Sequence, residues 1–123
     1  RHPFALTTKQ PQGAGENTVI GVVATNLALD KAALTRLAVA AHDGLARAVV
    51  PSHTPLDGDM IFAISTGQNH YTPSPLDLMA LGHAAAVSVT RAISRGVWHA
   101  TPQPGDILPV AKDMINAHDP SFE

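Results

Sequence analysis

Six consecutive residues, Val19-Ile20-Gly21-Val22-Val23-Ala24, are nearly all apolar and rich in β-branched side chains. Such a run offers no polar face to water, so it reads as a strand covered on both faces. A second run of the same kind follows at Met60–Thr66, MIFAIST. Between them, Leu34, Leu37, Ala38, Ala41, Leu45, Ala48 and Val49 recur at steps of three and four. That spacing predicts an amphipathic helix over 31–50, with Asp30 as its N-cap and Pro51 as its stop. Ser74-Pro75-Leu76-Asp77 reads as a second helix start: a capping serine, proline at the first helical position and an acid at the third. The helix it opens is expected to run to Ala100, and its small residues Gly82, Ala84, Ala85, Ala86 and Ser88 suit close packing. A short helix is expected at 110–117. The order strand, helix, strand, helix supports an α/β or α+β domain.

Composition narrows the function classes. With 45% apolar and 15% charged residues over 123 positions, the chain has enough apolar surface for one real core. A net charge of −2 gives no attraction for nucleic acid or an anionic membrane. No uninterrupted apolar stretch reaches the ~18 residues of a membrane span, and no membrane partner is expected. The absence of cysteine excludes thiolate chemistry and fits a cytoplasmic location. Seven histidines are scattered, at 2, 42, 53, 70, 83, 99 and 118, without the i, i+4 pair a zinc site usually shows. No metal and no cofactor are expected.

Two places carry chemistry. Asp57-Gly58-Asp59 stands just before the second strand, where it is either a turn or a pair of carboxylates at the mouth of a sheet. Gly58 would let the backbone pass close to a substrate or another strand. Thr18 stands where the Pro- and Gly-rich residues 1–17 meet the first strand. A threonine hydroxyl is a weak nucleophile by itself. At a chain terminus it gains a base, because its own α-amino group titrates near 7.7–8.0 and can take the hydroxyl proton. Cleavage of Asn17–Thr18 would create that terminus. Residues 1–17 would then be the flexible end of an N-terminal subunit, and 18–123 the nucleophile-bearing subunit. The chain starts without methionine, which fits a piece of something longer.

With these residues in view, NTVIGVVATN and AHDGLARAVVPSHTPLDGDMIFAIST resemble the L-aminopeptidase/D-esterase (DmpA-type) family of self-processing hydrolases. The resemblance covers residues 17 to about 99. It implies an αββα sandwich of the DmpA/ornithine-acetyltransferase type, of which this chain is the C-terminal portion. It implies Thr18 as the nucleophile of both self-cleavage after Asn17 and turnover. Asp57 and Asp59 match the acidic pair that, in the nylon-oligomer hydrolase branch, orients the nucleophile and its amino group. The implied partners are the N-terminal subunit of the same precursor, an amide or peptide substrate, and further copies in a homo-oligomer of heterodimers. The aminopeptidase branch cuts before a serine and carries a serine/glutamate pair here, so the Asn-Thr branch is the nearer match. The family's oxyanion-hole and pocket residues lie mainly in the N-terminal subunit and are assigned to no residue here.

The expected function is therefore an amide or peptide hydrolase, an aminopeptidase or amidase, working through a Thr18 acyl-enzyme. An acyltransferase of the ornithine acetyltransferase type is one alternative, though the lysine-glycine junction of those relatives is not matched by Gly15-Glu16-Asn17. A non-catalytic structural relative is the other.

Overall fold

In the computed structural model, which describes residues 18–116, the two apolar runs lie side by side as parallel strands. β1 is Ile20–Leu27 and β2 is Met60–Asn69. Their register pairs Ile20 with Met60, Val22 with Phe62 and Ala24 with Ile64. A parallel pair needs a crossover connection, and α1, Lys31–Ala48, supplies it. α2, Pro75–Trp98, packs on α1, and a short α3 follows at Ala111–Asn116. The architecture is α/β. Residues 1–17 and the expected helix end at Ala117 lie outside the described residues.

Both helix starts are the ones the sequence spells. The Asp30 side chain accepts the Ala33 N–H at 2.8 Å, meeting one of the amide groups a helix start leaves open. At α2 the Ser74 and Asp77 side chains each bond the other's backbone N–H, a complete capping box. Both strands run further than the apolar runs. β1 continues to Leu27 and β2 to Asn69, with a register irregularity between Thr25 and Leu27. Gly67 sits at φ 66°, which lets the chain twist out of register and then resume pairing.

The strands correct one expectation. Only one face of the pair is covered among the described residues. Val23 and Ile61 point at the helices and pack with Leu37, Ala41, Leu45, Ala85 and Val89 in one core. Ile20, Val22, Met60, Phe62 and Ile64, on the other face, are each between 49% and 70% exposed. A second correction concerns α2. It is 24 residues long with a mean hydropathy of 1.2 over its best window, so by length and composition it is apolar enough to cross a membrane. Counting only uninterrupted apolar residues missed this, because Gly, Ser and Thr among Ala, Val and Leu dilute hydropathy very little. In the fold α2 turns Gly82, Ala85, Ala86 and Val89 inward against the core and α1.

That helix seam is tight. A Cβ on Gly44 would lie 2.1 Å from the carbonyl oxygen of Ala86. The Thr90 hydroxyl lies within hydrogen-bond distance of two carbonyls, Gly44 across the seam at 2.9 Å and Ala86 in its own helix at 3.0 Å. Of the expected small residues, Gly82, Ala85 and Ala86 are buried, while Ala84 and Ser88 are exposed.

Candidate active site

The parallel pairing has a direct consequence for Thr18. In a parallel sheet both strands begin at the same end, so the residue before β1 meets the loop before β2. Val19 is held there from both sides. Its carbonyl accepts the Met60 N–H at 2.9 Å, and its N–H donates to Asp59 Oδ1 at 3.0 Å. Thr18, one residue earlier, is thereby fixed against the 57–59 loop. Its hydroxyl lies over Gly58, where a Cβ would come within 2.8 Å of Thr18 Oγ1.

Thr18, Asp57 and Asp59, picked from the sequence, thus share one corner of the fold. The two aspartates do different things there. Asp59 is nearly enclosed, with a side chain 5% exposed. Beyond Val19, its Oδ2 accepts the His53 backbone N–H at 3.1 Å, and the His53 ring Nδ1 lies 3.1 Å from the same oxygen. Asp57 instead closes its own turn. Its Oδ2 accepts the Thr54 N–H at 2.8 Å, and its N–H donates to the Thr54 carbonyl at 3.0 Å. The Thr54 backbone bond, helped by the Thr54 side chain and by His53 nearby, holds the Asp57 carboxyl below its ordinary range. Asp57 therefore stays ionised through neutral pH.

The sequence reading passed over His53 as one of seven scattered histidines. Its signal was its place, opening HTPLDGD six residues before Asp59. The expectation that the aspartates address Thr18's own amino group and hydroxyl concerns a free terminus, and Asn17 lies outside the described residues. Among the described residues no group of three or more His, Asp or Glu side chains is placed to hold a metal ion.

Thr18 thus stands at the start of β1 with its hydroxyl over Gly58 and its successor's N–H tied to Asp59. Residues 2–107 match the sequence model of Peptidase family S58, and the chain belongs to that family. It is 46% identical over 109 residues to an uncharacterized aminopeptidase of Mycobacterium tuberculosis, covering 80% of this chain and 31% of that protein. It is 28% identical over 112 residues to a 6-aminohexanoate-oligomer endohydrolase of Paenarthrobacter ureafaciens, covering 85% of this chain and 31% of that one. The chain thus spans about a third of the length of these relatives.

Proposed function

We propose that this chain is the nucleophile-bearing part of a self-processing amide or peptide hydrolase, with Thr18 as its reactive group. The observation that carries this reading is the seat of Thr18, its hydroxyl over Gly58 and its successor's N–H tied to Asp59. In self-processing, the Thr18 hydroxyl adds to the Asn17 carbonyl and the C–N bond breaks. The acyl group then sits on oxygen as an ester, and the nitrogen is a free α-amine. Water hydrolyses the ester, leaving a carboxylate on Asn17 and the hydroxyl on Thr18. In turnover, the amine takes the hydroxyl proton while the oxygen attacks the substrate carbonyl, and the leaving amine departs with a proton. Water releases the second ester. The relatives' names, an aminopeptidase and an oligoamide endohydrolase, agree in acting on amide bonds.

The rest of the precursor belongs in this reading. Ile20, Val22, Met60, Phe62 and Ile64 form one apolar sheet face that no described element covers. Monomeric proteins rarely leave so large an apolar patch bare. An N-terminal subunit supplying the second sheet of an αββα sandwich would cover it, with the oxyanion donors carried on that side.

The test uses the full-length precursor. Thr18→Ala is expected to remain uncut and inactive, and Thr18→Ser to be processed, read by intact mass and by hydrolysis of a small amide. Normal cleavage of the Thr18→Ala precursor overturns the mechanism.

A further inference from the structure

We propose that His53 is a positioning residue for the Thr18 nucleophile, its ring holding Asp59 so that Asp59 in turn holds the start of β1. The inference rests on the reading of Thr18 given above and adds a residue to it.

His53 sits at φ 55°, in the left-handed region. Residues with a Cβ enter that region at a cost of about 1–2 kcal/mol, and glycine enters freely. Turn geometry alone is thus satisfied by glycine. A histidine here brings only what its ring touches. Ring Nδ1 lies 3.1 Å from Asp59 Oδ2, the oxygen that also accepts His53's own N–H. The opposite face of the site is α1, from which the His42 ring stands 5.0 Å away, tilted by 54°. Asp57, in the same loop, lies within electrostatic reach of His53. Among the described residues, the titratable groups shown around the ring are Asp59, Asp57 and His42.

The bonds form a chain that ends at the nucleophile. His53 fixes one oxygen of Asp59, and the other oxygen fixes the Val19 N–H, one bond beyond Thr18. Two backbone N–H groups and the ring nitrogen, one on Oδ1 and two on Oδ2, set the orientation of this carboxylate. With the ring gone the carboxylate can turn about its Cβ–Cγ bond, and Val19 loses a fixed acceptor. A nucleophile misplaced by about 1 Å can cost on the order of 10²-fold in rate. Partial loosening through an intermediary is expected to cost about 10-fold.

The experiment compares His53→Gly and His53→Asn in the full-length precursor, beside Thr18→Ala. Asn tolerates the left-handed region, and its side-chain N–H₂ lies where Nδ1 lies. His53→Gly is expected to lose about 10-fold in kcat and in self-cleavage rate, with KM within about twofold and Tm nearly unchanged. His53→Asn should restore most of that rate. If glycine turns over like the parent, if only KM moves, or if asparagine is as slow as glycine, the positioning role is overturned. Should the glycine variant not fold, His53→Asp replaces it, sharing the backbone tolerance of asparagine but opposing Asp59 with a carboxylate. It must then be slow where asparagine is fast. Loss of processing in Thr18→Ala together with a fully active His53→Gly rejects this inference alone, whereas a cleaved Thr18→Ala rejects the reading beneath it.

Discussion

The helix seam and the loop before β2 each turn on one glycine, and the two glycines serve different ends. At the seam, a Cβ on Gly44 would strike backbone, the Ala86 carbonyl at 2.1 Å. Backbone in the middle of a helix can move only if the whole helix moves. In the loop, a Cβ on Gly58 would meet a side chain, the Thr18 hydroxyl at 2.8 Å. That group can move by rotating about one bond, and the rotation takes the proposed nucleophile out of its seat. The first glycine thus leaves room for packed backbone, and the second leaves room for the Thr18 hydroxyl.

Gly44→Ala should show the largest effect on stability. Alanine gains about 1 kcal/mol of helix propensity over glycine. Against that stands overpacking, which costs about 1–3 kcal/mol even where side chains can adjust. Here backbone must separate and the Thr90–Gly44 bond is stretched, so the clash wins. A Tm lowered by several degrees in the full-length protein is the expected result, and a raised Tm would break the comparison on the packing side.

Gly58→Ala is the converse. Gly58 does not occupy the left-handed region, so alanine fits its backbone and only space is tested. Thermal stability should change by about 0.5 kcal/mol or less. Self-cleavage and kcat should fall on the order of 10²-fold, since the hydroxyl must rotate or shift. Equal rates for parent and variant would leave Gly58 an ordinary turn residue.

The contrast also explains what the sequence did and did not make legible. Helix starts at Asp30 and Ser74 are written in neighbouring residues, and the strands in runs of β-branched side chains, so local patterns sufficed. Thr18, Asp57 and Asp59 stood out because a hydroxyl at a composition change and a carboxylate pair are groups a reader looks for. Their meeting depends on the parallel register, which brings residue 18 to residue 58 across some forty positions. Gly44 looked like one more small residue on a helix, and its reason lies in Ala86 of another element. His53 was missed on similar grounds, because a backbone angle and a bond to Asp59 leave no mark on spacing. The open face of the sheet was read as covered because Ile20 and Val22 are as apolar as Val23, and alternation cannot say what lies opposite.

Within the loop the two aspartates sharpen the comparison further. Asp59→Asn must place an amide N–H₂ toward either the Val19 N–H or the His53 N–H, since both its oxygens accept. One buried donor then faces another, at about 1–3 kcal/mol. Asp57→Asn keeps an oxygen for the Thr54 N–H and so keeps the turn. Both variants are expected to lose on the order of 10²-fold in rate, as for a lost acid–base contribution. Only Asp59→Asn should also lower Tm. Equal melting of the two would mean that Asp59 anchors β1 no more than Asp57 does.

The smallest effect lies away from both glycines, at the start of α2. Asp77 is held below its ordinary range first by the Ser74 hydroxyl, then by the Ser74 backbone N–H, and then by the Tyr71 hydroxyl. Its folded pKa is therefore lower than its unfolded one. A group of this kind contributes stability above the unfolded value, near 3.9, and the contribution fades as pH falls through the folded value. Asp77→Asn removes the charge at every pH while leaving an oxygen for the cap. The Tm of the variant should fall slightly below the parent's at neutral pH, with the gap constant down to about pH 5 and closing at more acid pH. Because the carboxylate is exposed, solvent screens the interaction and the gap is expected to be small. A gap that persists unchanged to pH 2.5 in parallel melts would assign the cap's value to hydrogen-bond shape rather than to charge.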